Sequence, residues 1–143
     1  MEAVKRSQPL DLVIHCGDVE GGEYLIAEAA GCPVEIVQGN NDYFCDLPRE
    51  KELQLGEYRI MVVHGHQYGV NMGYEGLVDE ARFRGVDMVM YGHTHRPIVI
   101  QEEGVTIINP GSLTYPRQEG RRPSYVLMET KPEREPEFEI LYL

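Results

Sequence analysis

Four apolar segments of this 143-residue chain each run into a glycine that has an aspartate, asparagine or histidine close beside it. The pairs are Leu10–Cys16 with Gly17-Asp18, Pro33–Val37 with Gly39-Asn40-Asn41-Asp42, Tyr58–Val63 with His64-Gly65-His66, and Val86–Tyr91 with Gly92-His93-Thr94-His95. Short apolar runs bounded by turn residues are typical of strands buried on both faces. Ligands of open α/β sheets bind at the carboxyl ends of strands. We therefore expect these polar side chains to meet at one edge of a sheet.

The rest of the chain predicts helices early and antiparallel strands late. Gly22–Ala30 and Tyr74–Phe83 have helical patterns, and the second should end near Gly85. Glu52–Leu55 and Tyr58–Val63 flank a turn and predict a hairpin. Later strands are expected at Ile98–Gln101, Val105–Ile108, Tyr125–Glu129 and Phe138–Leu143. This order favours two packed sheets with helices outside, and no linker divides residues 1–143, which we expect to form one domain.

Composition restricts the classes of partner. The chain has 13 Lys and Arg residues against 24 Asp and Glu, a net charge of −11 that argues against binding a nucleic-acid backbone and favours cations. The cysteines are Cys16, Cys32 and Cys45, without the spacing of a disulfide framework or thiolate zinc site, as expected of a reducing cytoplasm. No segment has the apolar length of a membrane span or the core of a signal peptide, so the chain is expected to be soluble and cytoplasmic.

The two His-x-His triplets indicate a metal site. In extended backbone, residues two apart point to the same side, so each triplet can direct two imidazoles to one point. Asp18 and Asn40 would add carboxylate and amide oxygens. Mixed nitrogen and oxygen ligands suit Mn, Ni, Fe, Co or Zn better than Ca or Mg. Taken alone, however, Asp18 could be a turn residue or helix N-cap, and residues 40–42 could be only a turn.

These four motifs, in this order and each after a strand, resemble the calcineurin-like metallophosphoesterase superfamily. The compact length and Asn109-Pro110-Gly111-Ser112 resemble its single-domain bacterial and archaeal phosphodiesterase branch. The resemblance implies an α/β/β/α sandwich and two divalent metal ions, for which we expect manganese. It makes Asp18 the bridging carboxylate, assigns Asn40, His64 and His93 to the second metal and assigns His95 to the first. Asp42 and His66 are expected to support these ligands.

The sequence departs from the family pattern at two places. No segment here matches the Asp-x-His that ends the family's first strand, and residues 1–8 resemble the helix that follows it. Either one metal site and a central strand are incomplete, or about 10 to 20 further residues precede Met1 in the native protein. We predict the second.

Asn41 stands where many members carry a histidine that protonates the leaving group. An amide cannot act as that acid, so diesters and easily departing esters are the expected substrates.

We therefore predict a phosphodiesterase that uses metal-bridged hydroxide to attack a small phosphoester, with Asn40 and Asn41 among its catalytic residues. It should bind no membrane, and homo-oligomers are compatible with the sequence.

The alternative function is a non-catalytic scaffold on the same fold, like the retromer subunit of this family. A structural zinc domain is a less favoured hypothesis because such sites rely on cysteine. His15 is expected to pack or to form a hydrogen bond in the core. Arg117, Arg121 and Arg122 near Tyr115 could contact phosphate or form a solvated loop, and Asn109–Ser112 could be structural support.

Overall fold

The computed structural model describes residues 2–42, 46–113, 120 and 122–143. Cys45, Tyr115, Arg117 and Arg121, named above, lie outside these ranges. The helices are α1 (Glu2–Arg6), α2 (Glu23–Ala30) and α3 (Glu75–Arg84). The strands are β1 (Val13–His15), β2 (Val34–Ile36), β3 (Glu50–Leu55), β4 (Tyr58–Val63), β5 (Met88–Met90), β6 (Pro97–Glu102), β7 (Val105–Pro110), β8 (Ser124–Glu129) and β9 (Glu137–Tyr142). No helix within the described residues has both the length and the apolar character needed to cross a bilayer.

The centre of the molecule is a five-stranded sheet with the order β3-β4-β5-β7-β6. β4, β5 and β7 are parallel neighbours, while β3 and β6 pair antiparallel at the two edges. Alternate residues of β4 enter opposite cores: Met61 and Val63 pack on one face, and Ile60 and Val62 on the other. Burial of both faces explains why these strands have continuous apolar sequences.

Further layers cover the two faces of this sheet. α3 packs on one face through Leu77, Val78 and Ala81. The parallel pair β1–β2 and the antiparallel pair β8–β9 pack on the other face, and α2 lies against β2 and α1. The predicted α/β/β/α arrangement is confirmed. The second strand layer consists of two separate pairs, because no ladder joins β1–β2 to β8–β9 among the described residues.

Element bounds differ from expectation mainly at their ends. The strand predicted at Val86–Tyr91 is shorter, Met88–Met90, and the helix predicted at Tyr74–Phe83 begins and ends one residue later. α3 stops at Gly85 as expected, since this residue has φ 69° and its N–H donates to the carbonyl oxygens of Ala81 and Arg82.

Two short 3₁₀ turns, His66–Tyr68 and Val70–Met72, were not predicted. They follow β4 without apolar periodicity, and Gly69, with φ 66°, ends the first and begins the second. These turns occupy the edge of the sheet where the histidines lie.

Candidate metal centre

Four of the predicted ligands come together at the carboxyl ends of the strands. His64 Nε2 lies 2.9 Å from Asn40 Oδ1, 3.1 Å from His93 Nδ1 and 3.3 Å from Asp18 Oδ2. Asn40 Oδ1 is also 3.2 Å from His93 Nδ1. We call these residues, Asp18, Asn40, His64 and His93, the four-donor cluster.

The strands and two glycines bring these groups close together. His64 directly follows β4 and is only 1% exposed, while Asp18 and Asn40 follow the parallel pair β1 and β2. A Cβ on Gly17 would lie 2.5 Å from His64 Nδ1, and one on Gly39 would lie 2.2 Å from Asp18 Oδ1. Glycine at both positions therefore permits the close approach of the loops.

The proton of neutral His64 is placed by the backbone. His64 Nδ1 lies 2.8 Å from the carbonyl oxygen of Cys16. Since a carbonyl oxygen only accepts hydrogen bonds, Nδ1 must carry the proton. The Nε2 lone pair of the neutral ring consequently points at the other donors of the cluster.

His93 is held from the opposite side by a residue that the sequence did not reveal. Its Nδ1 faces the cluster, and its Nε2 lies 3.1 Å from Asn71 Nδ2. Asn71 belongs to the second 3₁₀ turn. An asparagine carries both a donor and an acceptor and can match either tautomer of the ring, so Asn71 fixes the orientation of His93.

The Asp18 carboxylate is oriented by Asn41. The backbone N–H of Asn41 donates to Asp18 Oδ1 at 2.8 Å, and its side-chain Nδ2 donates to Asp18 Oδ2 at 3.1 Å. Asn41 is exposed but already engaged with the cluster. This contact supports Asp18 directly. The Asn41 amide has no proton that it could give to a leaving group near neutral pH.

Asp42 ties the two oxygen-bearing loops together. Its carboxylate accepts hydrogen bonds from the backbone N–H groups of Asp18 at 2.7 Å, Glu20 at 2.6 Å and Gly39 at 2.9 Å. Burial raises the pKa of Asp42, but the backbone donors, led by Gly39, outweigh it and hold the pKa below its ordinary value. Asp42 thus remains ionised and braces the loops.

Asn109 braces the loop that carries His93. It is fully buried, and its Nδ2 donates to the carbonyl oxygen of Gly92 at 3.1 Å and to Thr94 Oγ1 at 3.0 Å. Its Oδ1 accepts from the backbone N–H of Gly111 at 2.9 Å. These contacts agree with the structural-support interpretation of Asn109.

The cluster keeps its imidazoles neutral. Burial is the largest cause that lowers the pKa of His64 and of His93 below the ordinary 6.5, and neighbouring histidines lower both further. The hydrogen bond to Cys16 raises the pKa of His64, and the Asp18 carboxylate raises the pKa of both rings, but neither effect outweighs burial. At neutral pH both rings can therefore offer lone pairs.

The donor set fits a divalent transition metal. Ligands bound about 2.0 to 2.2 Å from one ion must lie roughly 3 Å from each other, as the donor atoms of Asn40, His64 and His93 do, with Asp18 3.3 Å from His64. Histidine, cysteine and carboxylate side chains alone give no metal-binding group of three within the described part of the chain. The cluster differs from such groups in including the amide oxygen of Asn40, and two nitrogens with two oxygens suit a divalent transition metal.

The other predicted residues occupy different positions. His95 is half-buried two residues beyond His93, near enough for its charge to lower the pKa of His93. The His66 ring is exposed, with its centroid 5.3 Å from that of His64 and 6.1 Å from that of His93. His15 is half-buried and its Nδ1 accepts from the Gly17 N–H at 3.2 Å. Arg122 lies instead over the Tyr142 ring, 5.2 Å from its centroid.

The fold and the site together define a class: α/β/β/α sandwich proteins that gather nitrogen and oxygen donors at the carboxyl ends of their strands. The model of the calcineurin-like phosphoesterase superfamily domain matches residues 1–133. The chain belongs to this superfamily, as the sequence motifs predicted.

Individual proteins resemble the chain at the levels of sequence and fold. A probable metallophosphoesterase of Methanothermobacter thermautotrophicus is 32% identical over 114 residues, which cover 76% of this chain and 63% of that relative. A conserved uncharacterized protein of Streptococcus pneumoniae, described as a predicted phosphoesterase, is 28% identical with TM-score 0.81, over 99% of this chain and 79% of that one. A Vps29 mutant of Entamoeba histolytica, 24% identical over 99% and 87% of the two chains, shares the fold with TM-score 0.79. The chain thus spans less than two thirds of its archaeal relative.

Proposed function

We propose that the protein is a metal-dependent phosphodiesterase, and the observation that carries this proposal is the convergence of four lone-pair donors. Divalent ions bound there would lower the pKa of a bound water and polarise phosphoryl oxygens for in-line displacement. Asn40, His64 and His93 would hold one ion through Oδ1, Nε2 and Nδ1, and the Asp18 carboxylate would be shared with a second, to which His95 contributes. Membership of the superfamily supports this assignment.

The chain's own residues preorganise the site. Cys16 fixes the tautomer of His64, Asn71 orients His93, and Asn41 orients Asp18. Holding reacting groups in place before substrate binds removes reorganisation from the chemical step. We expect manganese, with nickel, iron, cobalt or zinc able to bind the same donors.

Asn41 limits the substrates. An amide has no proton that titrates near neutral pH, and this one already donates to Asp18. A poor leaving group such as an alkoxide needs protonation as it departs. We infer that small diesters with good leaving groups are cleaved in preference to alkyl monoesters.

The test compares two esters with and without metal. Protein stripped by chelator and reloaded with manganese should hydrolyse bis(4-nitrophenyl) phosphate, lose that turnover when stripped, and cleave an alkyl monoester such as glycerol phosphate far more slowly. Equal turnover with and without metal would refute the metal mechanism. A preference for the alkyl monoester would refute the role given to Asn41.

The second candidate is a non-catalytic scaffold on the same fold, which the shared fold of Vps29 supports. A scaffold has no need for aligned lone pairs, whereas the four-donor cluster is present here with distances of 2.9 to 3.3 Å. Stoichiometric metal binding without hydrolysis of any activated diester would favour the scaffold.

We further propose that the protein works in the cytoplasm on small phosphoesters, and that nucleic-acid backbones and membranes are not its partners. The net charge of −11 opposes polyanion binding. Burial raises the pKa of the Cys16 thiol to about 12, so this cysteine is an inert core group suited to a reducing compartment. Self-association is compatible with this proposal and would be measured by sedimentation.

A further inference from the structure

A cavity of about 430 Å³ adjoins the four-donor cluster. Asn40 is shared between the cluster and the cavity wall, and Arg49, His66 and Gln67 form other parts of the wall. The cavity is therefore continuous with one of the donors proposed to hold metal. Its volume exceeds what one phosphate group requires and falls in the usual range for small-molecule sites.

The position of Arg49 is fixed by backbone pairing on both sides. β3 begins at Glu50, which pairs with Val63 at the end of β4, so Arg49 lies level with the start of the His64 loop. The Gln38 N–H donates to the Pro48 carbonyl oxygen at 2.7 Å, which joins the chain before Arg49 to the loop that carries Asn40. Arg49 is thus carried at the same edge of the sheet as the metal ligands.

The carboxylates nearest to Arg49 in the chain and in the cavity wall have other partners. Glu50 pairs with Arg84 at 2.8 Å and accepts a hydrogen bond from Tyr68. Asp42, which also lines the cavity, is bound to three backbone N–H groups. Within the described part of the chain, Arg49 forms no ion pair.

We propose that Arg49 binds a second phosphate of the substrate in this cavity while the phosphoester to be cleaved lies at the four-donor cluster. A guanidinium matches phosphate geometry with two parallel hydrogen bonds, and the exposed side chains of His66 and Gln67 offer further polar groups at the same wall. The assignment rests on the proposed function for the place of the first phosphate. It identifies the substrate class as small phosphoesters that carry an additional phosphate.

Binding of two nucleotides that differ by one phosphate tests this assignment. Isothermal titration of manganese-loaded protein with thymidine 3′,5′-bisphosphate and with thymidine 5′-phosphate should show about tenfold tighter binding of the bisphosphate. Arg49→Gln should abolish this preference and Arg49→Lys should retain part of it. Arg134→Gln removes the same charge from the exposed turn between β8 and β9 and should leave the preference unchanged.

Two results would overturn the subsite: equal affinity for both nucleotides in the wild-type protein, or the same preference in wild-type protein and Arg49→Gln. Turnover of bis(4-nitrophenyl) phosphate, measured on the same preparations, separates this failure from failure of the proposed function. An active enzyme without the preference refutes only the subsite. An inactive protein whose preference depends on Arg49 refutes only the hydrolase assignment.

Discussion

At the scale of single residues, the site depends on which nitrogen of each imidazole faces its neighbours. The carbonyl oxygen of Cys16 decides this for His64, and Asn71 holds the His93 ring from its Nε2 side with Nδ1 toward the cluster. Partners that orient a metal-binding histidine commonly change metal affinity by about tenfold or more when they are removed. Asn71 is accordingly the side chain outside the predicted ligand set whose loss should matter most.

We predict that Asn71→Ala weakens manganese binding by about tenfold, because His93 loses the partner of its Nε2. Asn71→Asp keeps an oxygen acceptor and should restore most of the affinity. Met72→Ala is the matched control, since Met72 is the next residue in the chain and is 91% exposed. Titration calorimetry gives the affinities, and nitrogen NMR of the histidine rings reports the tautomer. Unchanged affinity and tautomer in Asn71→Ala would contradict the role of this residue.

The same histidines make the stability of the metal-free protein depend on pH. Burial lowers the pKa of His64 and of His93 below 6.5, so the unfolded chain takes up protons at a pH where the folded chain does not. The free energy of unfolding should therefore fall as the pH drops from about 7 to about 5, and the loss should stop below the folded pKa values. Urea unfolding across this range measures it. Stability that stays constant or rises on acidification through this window would show that the two pKa values are not lowered.

At the scale of elements, Arg84 connects α3, β3 and the first 3₁₀ turn. It pairs with Glu50 and with Glu80, both at 2.8 Å, and donates to the Tyr68 hydroxyl at 3.2 Å. Burial, followed by the hydrogen bond to Glu50, raises the pKa of Tyr68 to about 12, so this phenol stays protonated and donates to Glu50. The network anchors the segment that carries His66 and Asn71.

We predict that Arg84→Gln lowers the free energy of unfolding by about 1 to 2 kcal/mol, because partly buried Glu50 and Tyr68 lose their partner. Arg82→Gln is the control from the same last turn of α3. Arg82 pairs with Glu103 at 3.1 Å, but both side chains are more than half exposed, at 58% and 56%. That exposed pair should contribute less than about 0.5 kcal/mol. Equal effects of the two substitutions in urea unfolding would contradict the anchoring role of Arg84.

Sequence reasoning succeeded where local pattern and structure coincide. The buried strand β4 and the end of α3 at Gly85 follow from apolar runs and from a glycine suited to a left-handed cap. Asn71 and Arg49 could not be found in this way. Asn71 lies in a 3₁₀ turn with no periodicity, and Arg49 reaches the site only through the register of β3 against β4. Such positions depend on pairing between segments distant in sequence, which composition and spacing do not encode.

At the scale of the whole molecule, the central sheet separates two cores and collects the chemistry at one edge. Its parallel strands β4, β5 and β7 are largely buried, while the edge strands β3 and β6 are partly exposed. A net charge of −11 favours the approach of divalent cations, and the neutral imidazoles of the four-donor cluster would be available to bind them. The fold, the charge and the site thus support the same chemistry.

The same charge predicts weak binding to nucleic acids. Because a polyanion gains little from a surface of net negative charge, duplex DNA should not be retained by the manganese-free protein even at about 50 mM salt. A gel-shift titration with the protein in excess would measure this. A salt-sensitive shift at micromolar protein would contradict the expectation and would indicate a basic surface that the net charge conceals.

The central claim, that the four-donor cluster is a metal centre, is tested most directly by anomalous diffraction from crystals grown with manganese. We predict an anomalous peak about 2.0 to 2.3 Å from Asn40 Oδ1, His64 Nε2, His93 Nδ1 and an Asp18 carboxylate oxygen, and its loss in crystals of His64→Ala. A peak only at other residues, or no peak at saturating manganese, would contradict the account.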